Sequence, residues 1–449
     1  MSNSNALSLQ NGLGTLQEKV ADVLRLAKQL GASQAEASAS FGTGFSVNVR
    51  LREVETLRHQ RDQGLGVTVW LGHRKGSAST SDLRPEAIEE SVRKACALAR
   101  YAAEDPASGL ADAARLAKDL PALSLHHPWD IDPATAIELA MACEVAALDF
   151  DPRVTNSEGA SVSTSEGLRV YGNSHGFVGG YPESDHSISC SVVASENGSM
   201  ETDYEYAVAR DASDLPAPAA IGAEAGRRTV ARLGGTKLET RTAPVLFPAR
   251  IARGLIGHLL GAISGGALYR KSSFLVDALG EQVFASRVTI DEEPHLPKAL
   301  GSAPFDDEGV ATVARRLVDS GVLRGYLLGS YYARKLGMES TGNAGGAHNL
   351  VVQSTGESFD NLLRSMDRGL VITDLMGSGV NPVTGDYSRG ASGFWVENGK
   401  VQHPVTEISI AGNLKDMYRG IRGIGTDVDR RGSVLTGSIL VDRMTIAGS

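Results

Sequence analysis

Residues 249–265 read ARIARGLIGHLLGAISG, and this stretch decides how the second half of the chain folds. Its apolar residues recur at helical spacing, and four glycines share one helix face, namely Gly254, Gly257, Gly261 and Gly265. A glycine costs a helix interior about 1 kcal/mol relative to alanine, so a stripe of glycines needs a compensating contact. We predict a helix inside its domain whose glycines let another element pack closely, in preference to a ligand-binding role.

The region around this helix is rich in glycine and in apolar strands. A composition shift at Gly234 and Gly235 marks its start. Apolar runs at 370–375 and 439–446 are typical of strands. We therefore expect residues 235–449 to form one strand-rich, barrel-like C-terminal domain around the glycine-rich helix.

The first part of the chain, residues 1–118, shows a helix, a run of strands and a second helix. A capping box that starts at Thr15 predicts the beginning of the first helix, and Gly31 predicts its end. Alternating apolar runs follow, and Pro85 then opens a helix that reaches about Arg100. This unit should be a small antiparallel sheet flanked by helices.

The central part, residues 119–234, repeats that order of elements. A helix over 133–148 precedes polar alternating strands over 153–206 and an Ala/Arg-rich helix over 219–233. Runs of strands with clustered helices, without regular alternation of the two, predict an α+β fold rather than a doubly wound sheet.

Composition narrows the possible partners and the location. The 449 residues carry a formal charge of −9 and show no basic cluster flanked by aromatics, which disfavours nucleic-acid binding. Three scattered cysteines suit a reducing compartment. The start of the chain has no leader pattern, and no long uncharged stretch follows. We expect a cytoplasmic protein without a membrane partner.

Common catalytic motifs are missing from the sequence. It contains no His-Glu dipeptide, so neither H-E-x-x-H nor H-E-x-x-x-H occurs, and it has no C-x-x-C pair and no phosphate-binding glycine loop. Residues 172–176 do match G-x-S-x-G around Ser174. A glycine-rich, strand-like segment follows instead of a helix, so a tight β-turn explains this match better than a serine hydrolase does.

Charged clusters give weaker signals. The acidic runs 291–293 and 306–308 are typical of solvated loops. The loop 384–390 could line a cleft, since it holds a tyrosine, an arginine and an aspartate between glycines. A turn with an internal Asp–Arg pair is the equal alternative for that loop.

Several stretches together resemble the TldD/PmbA metallopeptidase family, formerly described as modulators of DNA gyrase, and within it the PmbA (TldE) subfamily. The likeness spans nearly the whole chain. The stretches that carry it are 74–79, 172–176, 257–266, 269–272, 384–390, 393–399 and 410–417.

The resemblance implies where a metal site would lie and why this chain lacks one. TldD proteins bind zinc through H-E-x-x-x-H and a cysteine near the C-terminus, and the glutamate can activate water. That motif falls here on His258, Leu259 and Ile263, and the last cysteine is Cys190. We therefore expect degenerate metal-site positions, no metal or other cofactor on this chain, and zinc on a partner subunit.

The resulting hypothesis is a subunit that is inactive alone, within a zinc metallopeptidase complex that degrades or trims unfolded or leader-bearing peptides. It would assemble with a TldD-like subunit, could form a homodimer in isolation, and would supply substrate-chamber surface. The candidate cleft residues are His258, Asp386, Tyr387 and Arg389. Two alternatives stay open: a regulatory binding protein for gyrase or toxin–antitoxin systems without peptidase activity, and an independent hydrolase that uses Ser174.

Overall fold

The computed structural model describes residues 9–448. The first eight residues, which belong to the stretch that we interpreted as lacking a leader pattern, lie outside the described part. Helix α1 (Leu9–Gln29) begins six residues before the predicted start. Thr15 lies inside this helix, where its Oγ1 donates to the Asn11 carbonyl at 3.1 Å. The capping-box prediction was wrong because an interior threonine can bond back to the preceding turn. Gly31 does follow the helix, with φ of +87°.

One six-stranded antiparallel sheet dominates the N-terminal half, in the order β3-β2-β1-β4-β5-β6. Three strands come from the first predicted unit and three from the central one, so the two units share the sheet. The strands are β1 (Gln34–Arg50), β2 (Glu53–Leu71), β3 (Arg74–Thr80), β4 (Val154–Asn173), β5 (Val178–Glu196) and β6 (Ser199–Ala209). Alternation along β1 sends apolar residues to a helix-covered face and most polar ones to the opposite face.

Four helices cover the apolar face of this sheet. Helix α1 and helix α2 (Pro85–Tyr101) pack over one apolar cluster, and helices α3 (Pro133–Leu148) and α4 (Pro218–Ala231) pack over a second. Pro85, Pro133 and Pro218 each stand at the first position of their helix, where a missing N–H costs nothing. The predicted helix positions in this half are therefore confirmed apart from the start of α1.

The C-terminal half contains a closed barrel. Strands pair in the order β14-β13-β12-β7-β17, and pairing of β14 with β17 closes the ring. The strands of this half are β7 (Arg241–Phe247), β8 (Ile290–Glu292), β9 (Arg315–Asp319), β10 (Val322–Leu323), β11 (Leu350–Val352), β12 (Gly369–Met376), β13 (Asp386–Glu397), β14 (Lys400–Asn413), β15 (Ile421–Ile424), β16 (Val434–Leu435) and β17 (Ile439–Ala447). The α+β, barrel-like prediction is confirmed.

Short helices and a second sheet complete this half. A separate five-stranded sheet has the order β10-β9-β8-β11-β16. The helices are α5 (Ala249–Ala262), α6 (Gly265–Tyr269), α7 (Ser330–Lys335), α8 (Phe359–Met366) and α9 (Leu414–Arg419). None of the helices within residues 9–448 combines the length and apolar content needed to cross a bilayer.

Helix α5 buries one face and leaves its glycine face open. Leu255 and Ile256 belong to the large C-terminal apolar core. Tyr418 is fully buried against the helix and donates its hydroxyl to the Leu255 carbonyl at 3.0 Å. A Cβ placed on Gly254, Gly257 or Gly261 would meet nothing within 4 Å. The predicted close packing against the glycine stripe was therefore wrong for these three positions.

The acidic runs are solvated only in part. Glu292 is 1% exposed, since it lies in strand β8 and its carboxylate pairs with the Arg315 guanidinium at 2.8 Å. Asp306 is 3% exposed and accepts backbone N–H groups of Glu308, Val310 and Ala344. Sequence proximity of several acids does not reveal such partners, so the prediction of exposure was wrong for Asp291, Glu292 and Asp306, whereas Asp307 is exposed.

Candidate functional site

A cavity of about 480 Å³ opens over the glycine face of helix α5. Strand β13 and the segment before it provide the opposite wall. Most of the lining residues are apolar or are glycines. His258 contributes an imidazole group and Arg389 a guanidinium group. The lining residues include Gly257, Gly261, Phe274, Val380, Pro382 and Leu414.

His258 lines this cavity, and its ring contacts that of Tyr387, which is buried and does not line the cavity. Their ring centroids lie 5.9 Å apart with an edge-to-face angle of 79°. Burial lowers the pKa of His258 below its ordinary 6.5, and the nearby Arg389 charge lowers it further. Burial raises the pKa of Tyr387 to about 12. Both side chains are therefore neutral at pH 7.

Residues 386–390 of the predicted loop lie in strand β13, so the alternation of the strand determines the side to which each side chain points. Tyr387 and Arg389 are two apart in β13 and point to the same side, whereas Asp386 points to the other side. The Asp386 carboxylate accepts from Thr384 Oγ1 at 2.6 Å and from Asn413 Nδ2 at 3.0 Å. Asp386 does not line the cavity and makes no ion pair with Arg389, so the alternative of a turn with an internal Asp–Arg pair was wrong.

The positions that correspond to the zinc motif do not form a metal site. Leu259 and Ile263 are 0% exposed and belong to the apolar core, on a different side of the helix from His258. Within residues 9–448, no three His, Cys, Asp or Glu side chains are grouped closely enough to hold a metal ion. A zinc site with three protein ligands does not fit these residues.

Ser174 lies in the hairpin between β4 and β5. Its Oγ accepts a hydrogen bond from the Ala35 N–H at 3.0 Å, and the Ser174 N–H donates to the Ala35 carbonyl at 2.8 Å. The strand–turn–strand context confirms the predicted β-turn. The structure therefore lacks the strand-to-helix elbow that exposes a serine nucleophile.

A larger groove, of about 980 Å³, crosses the polar face of the N-terminal sheet. Glu36 lies in it and accepts from the Tyr171 hydroxyl at 3.0 Å. Burial raises the pKa of Glu36, and burial likewise raises the pKa of Asp306 at the groove wall to about 7. Our sequence interpretation missed this groove, although the alternating polar residues Glu36, Ser38 and Ser40 were the available signal.

We predict that the His258 imidazole titrates below pH 6.5 and that Arg389→Met raises its midpoint. Arg389 is the second cause of the lowered pKa, so its removal should leave only the effect of burial. Because the folded pKa is lowered, this group contributes stability above pH 6.5 that is lost as pH falls through the folded pKa. NMR titration of the imidazole measures the midpoint, and Arg389→Lys, which keeps the charge, is the control. A wild-type midpoint at or above 6.5 would contradict the prediction.

Comparisons with known proteins give the same family over most of the chain. Models of the PmbA/TldA metallopeptidase family match domain 1 at residues 35–99, the central domain at 126–233 and the C-terminal domain at 240–448. The metalloprotease PmbA of Escherichia coli O157:H7 is 51% identical over 434 residues, covering 96% of each chain.

The chain is also similar to a more distant relative and to a solved structure. A metalloprotease TldD homolog of Haemophilus influenzae is 25% identical over 302 residues, covering 58% of this chain and 61% of that protein. The crystal structure of a candidate modulator of DNA gyrase from Bacteroides thetaiotaomicron matches with a TM-score of 0.93 and 28% identity. That match covers 99% of this chain and 100% of the other.

Proposed function

This chain belongs to the PmbA/TldA metallopeptidase family, and we propose that it is the subunit of a cytoplasmic zinc peptidase complex that does not hold the metal. Its partner would be a TldD-like chain that carries the zinc. The substrates would be unfolded or leader-bearing peptides, and this chain would shape the chamber in which they are cut.

The observation that carries this proposal is the surroundings of His258. Of the three positions that correspond to the zinc motif, only this one has a side chain that can bind a metal. Leu259 and Ile263 are buried in an apolar core, and Cys96, Cys143 and Cys190 are buried residues of the N-terminal half. One imidazole gives neither the affinity nor the general base that peptide hydrolysis on zinc requires.

Two surfaces suit a substrate-binding role. The α5 cavity joins apolar walls to a cationic side chain, and the groove on the N-terminal sheet runs beside β3. Strand β3 is an edge strand in the sheet order, so an extended peptide could pair with it through backbone hydrogen bonds. Backbone pairing depends little on side chains, so it suits peptide substrates that have no sequence in common.

The proposal predicts that peptide cleavage needs both subunits. We expect background cleavage from this chain alone and at least about tenfold faster cleavage from the mixture than from the TldD-like chain alone. A chelator should abolish the activity of the mixture. Metal analysis of the isolated chain should find far less than one zinc per molecule, and added zinc should leave its melting temperature unchanged.

Three results would count against this proposal. The first is chelator-sensitive cleavage by the isolated chain, and the second is tight, stoichiometric zinc in it. The third is a native pull-down that recovers no chain with H-E-x-x-x-H, which would favour a homodimer or a regulatory role without peptidase activity.

A further inference from the structure

Arg389 is a cation that the protein itself leaves partly unsatisfied. Its Nη2 donates to the Leu375 carbonyl at 3.1 Å, while its Nε is buried and has no hydrogen-bond partner. Among the ion pairs of residues 9–448, none joins Arg389 to a carboxylate. The residue as a whole is half-buried, but a buried N–H without a partner is costly to keep, so this guanidinium favours an anionic ligand or partner group.

Three other half-buried arginines have carboxylate partners, whereas half-buried Arg253 donates to the Arg431 carbonyl and the Tyr206 hydroxyl. Arg228, Arg315 and Arg431 each pair with a carboxylate, at 3.1, 2.8 and 2.9 Å. Their partners are Asp203, Glu292 and Asp429, which are themselves buried. Among these arginines, Arg389 combines the lack of a carboxylate partner with an unpartnered buried Nε, and its guanidinium lines a cavity.

The cavity beside Arg389 has the size and lining of a binding site. Its volume of about 480 Å³ falls in the range of small-molecule pockets. Gly257 and Gly261 present bare backbone with open space above it, which admits a ligand close to the helix. Phe274 and Leu414 add apolar side chains to the lining.

We infer that this cavity binds the C-terminal carboxylate of a peptide through Arg389, with the last side chain of that peptide against the apolar wall. Guanidinium groups bind carboxylates strongly because both are planar and can share two hydrogen bonds. His258 and Tyr387 are both uncharged, so neither side chain supplies an anion that would compete with a ligand for the Arg389 guanidinium. The inference deepens the proposed function, since it rests on peptides being the substrates.

Calorimetry on the isolated, full-length chain tests this directly. The probe is acetyl-Ala-Ala-Ala with a free carboxylate, and the same peptide as a C-terminal amide is its matched control. We expect the acid to bind at least about tenfold more tightly than the amide. A third peptide, amidated but with an internal glutamate, distinguishes a side-chain carboxylate from a C-terminal one.

Variants separate the site from general effects. Arg389→Met should lower affinity for the acid at least about tenfold, and Arg389→Lys should lower it less, because an ammonium keeps the charge without the planar pairing. Arg25→Met, at a surface arginine of α1 that is 67% exposed, should leave binding unchanged. Circular dichroism checks that the Arg389→Met variant is folded. If that variant does not fold, the affinity of the Arg389→Lys variant for the acid tests the role of the guanidinium.

Several outcomes would overturn the inference. Equal binding of acid and amide would do so, as would no binding of either, or full affinity in a folded Arg389→Met variant. Preference for the internal glutamate peptide would overturn the C-terminal assignment. None of these needs zinc or a partner chain, so each is distinct from failure of the reconstitution experiment.

Discussion

Leu259→Glu should lower the free energy of unfolding at pH 7.5 by about 3–5 kcal/mol. This substitution places the glutamate of the zinc motif at its corresponding position. Leu259 is 0% exposed and surrounded by the C-terminal apolar core, so the change removes a buried leucine and leaves a carboxyl without a partner. Helix α5 would then carry the motif residue without gaining a metal site.

The loss should depend on pH in one direction. A carboxyl buried among apolar groups has its pKa raised above the unfolded value near 4.3. The variant is therefore least destabilised below that value, and the loss grows as pH rises toward the folded pKa. Urea unfolding at pH 5 and pH 7.5, with the wild type measured in parallel, gives both numbers.

Leu259→Met is the matched control, because it keeps the volume and should cost less than about 1.5 kcal/mol. Adding Ile263→His to Leu259→Glu should lower stability further and create no tight zinc site, since Ile263 is equally buried. A stable double variant that retains one zinc per chain would contradict the prediction that these buried positions cannot form a metal site. It would also show that the core can rearrange around the motif.

Local signals predicted much of the fold. The start of α3 is an example, because Pro133 follows Asp132, whose carboxylate accepts from the Thr135 N–H. The β-turn at Ser174 followed from glycines and from the strand-like segment after it. In both cases, the deciding contacts lie within a few residues of one another.

The sequence did not predict features that depend on residues distant in the chain. Glu292 looked solvent-exposed in sequence, yet Arg315, 23 residues later, neutralises it inside the structure. For the candidate site, the sequence indicated His258, Tyr387 and Arg389 together through resemblance, but it did not indicate that Asp386 would point away. That outcome depends on which residues of β13 face the helix, which is set by the pairing register of the barrel.

Glycine packing shows the same limit most clearly. Of the four glycines for which we expected close contact, Gly265 has one, with Tyr332, while Gly254, Gly257 and Gly261 have none; another close contact lies between α3 and α4. A Cβ on Gly222 of α4 would lie 1.8 Å from the Cys143 carbonyl oxygen of α3, and one on Gly226 would lie 2.8 Å from the Ala147 carbonyl oxygen. The spacing of glycines identifies a helix face, but only the fold determines what that face meets.

Gly222→Ala should therefore lower the free energy of unfolding by about 3 kcal/mol or more. The added methyl group would meet backbone atoms of α3, which cannot rotate away as a side chain can, so the two helices must separate. The better helix propensity of alanine offsets only about 1 kcal/mol of this loss. Urea unfolding monitored by circular dichroism measures the change.

Gly254→Ala is the opposite case and the matched control. Gly254 is an exposed position of α5 with nothing within 4 Å of its added Cβ, so this variant should gain about 0.5–1 kcal/mol. The same substitution in two helices of one chain should thus change stability with opposite signs. Equal effects would mean that helix propensity alone governs both positions, and that the helices α3 and α4 do not approach each other as closely as Gly222 requires.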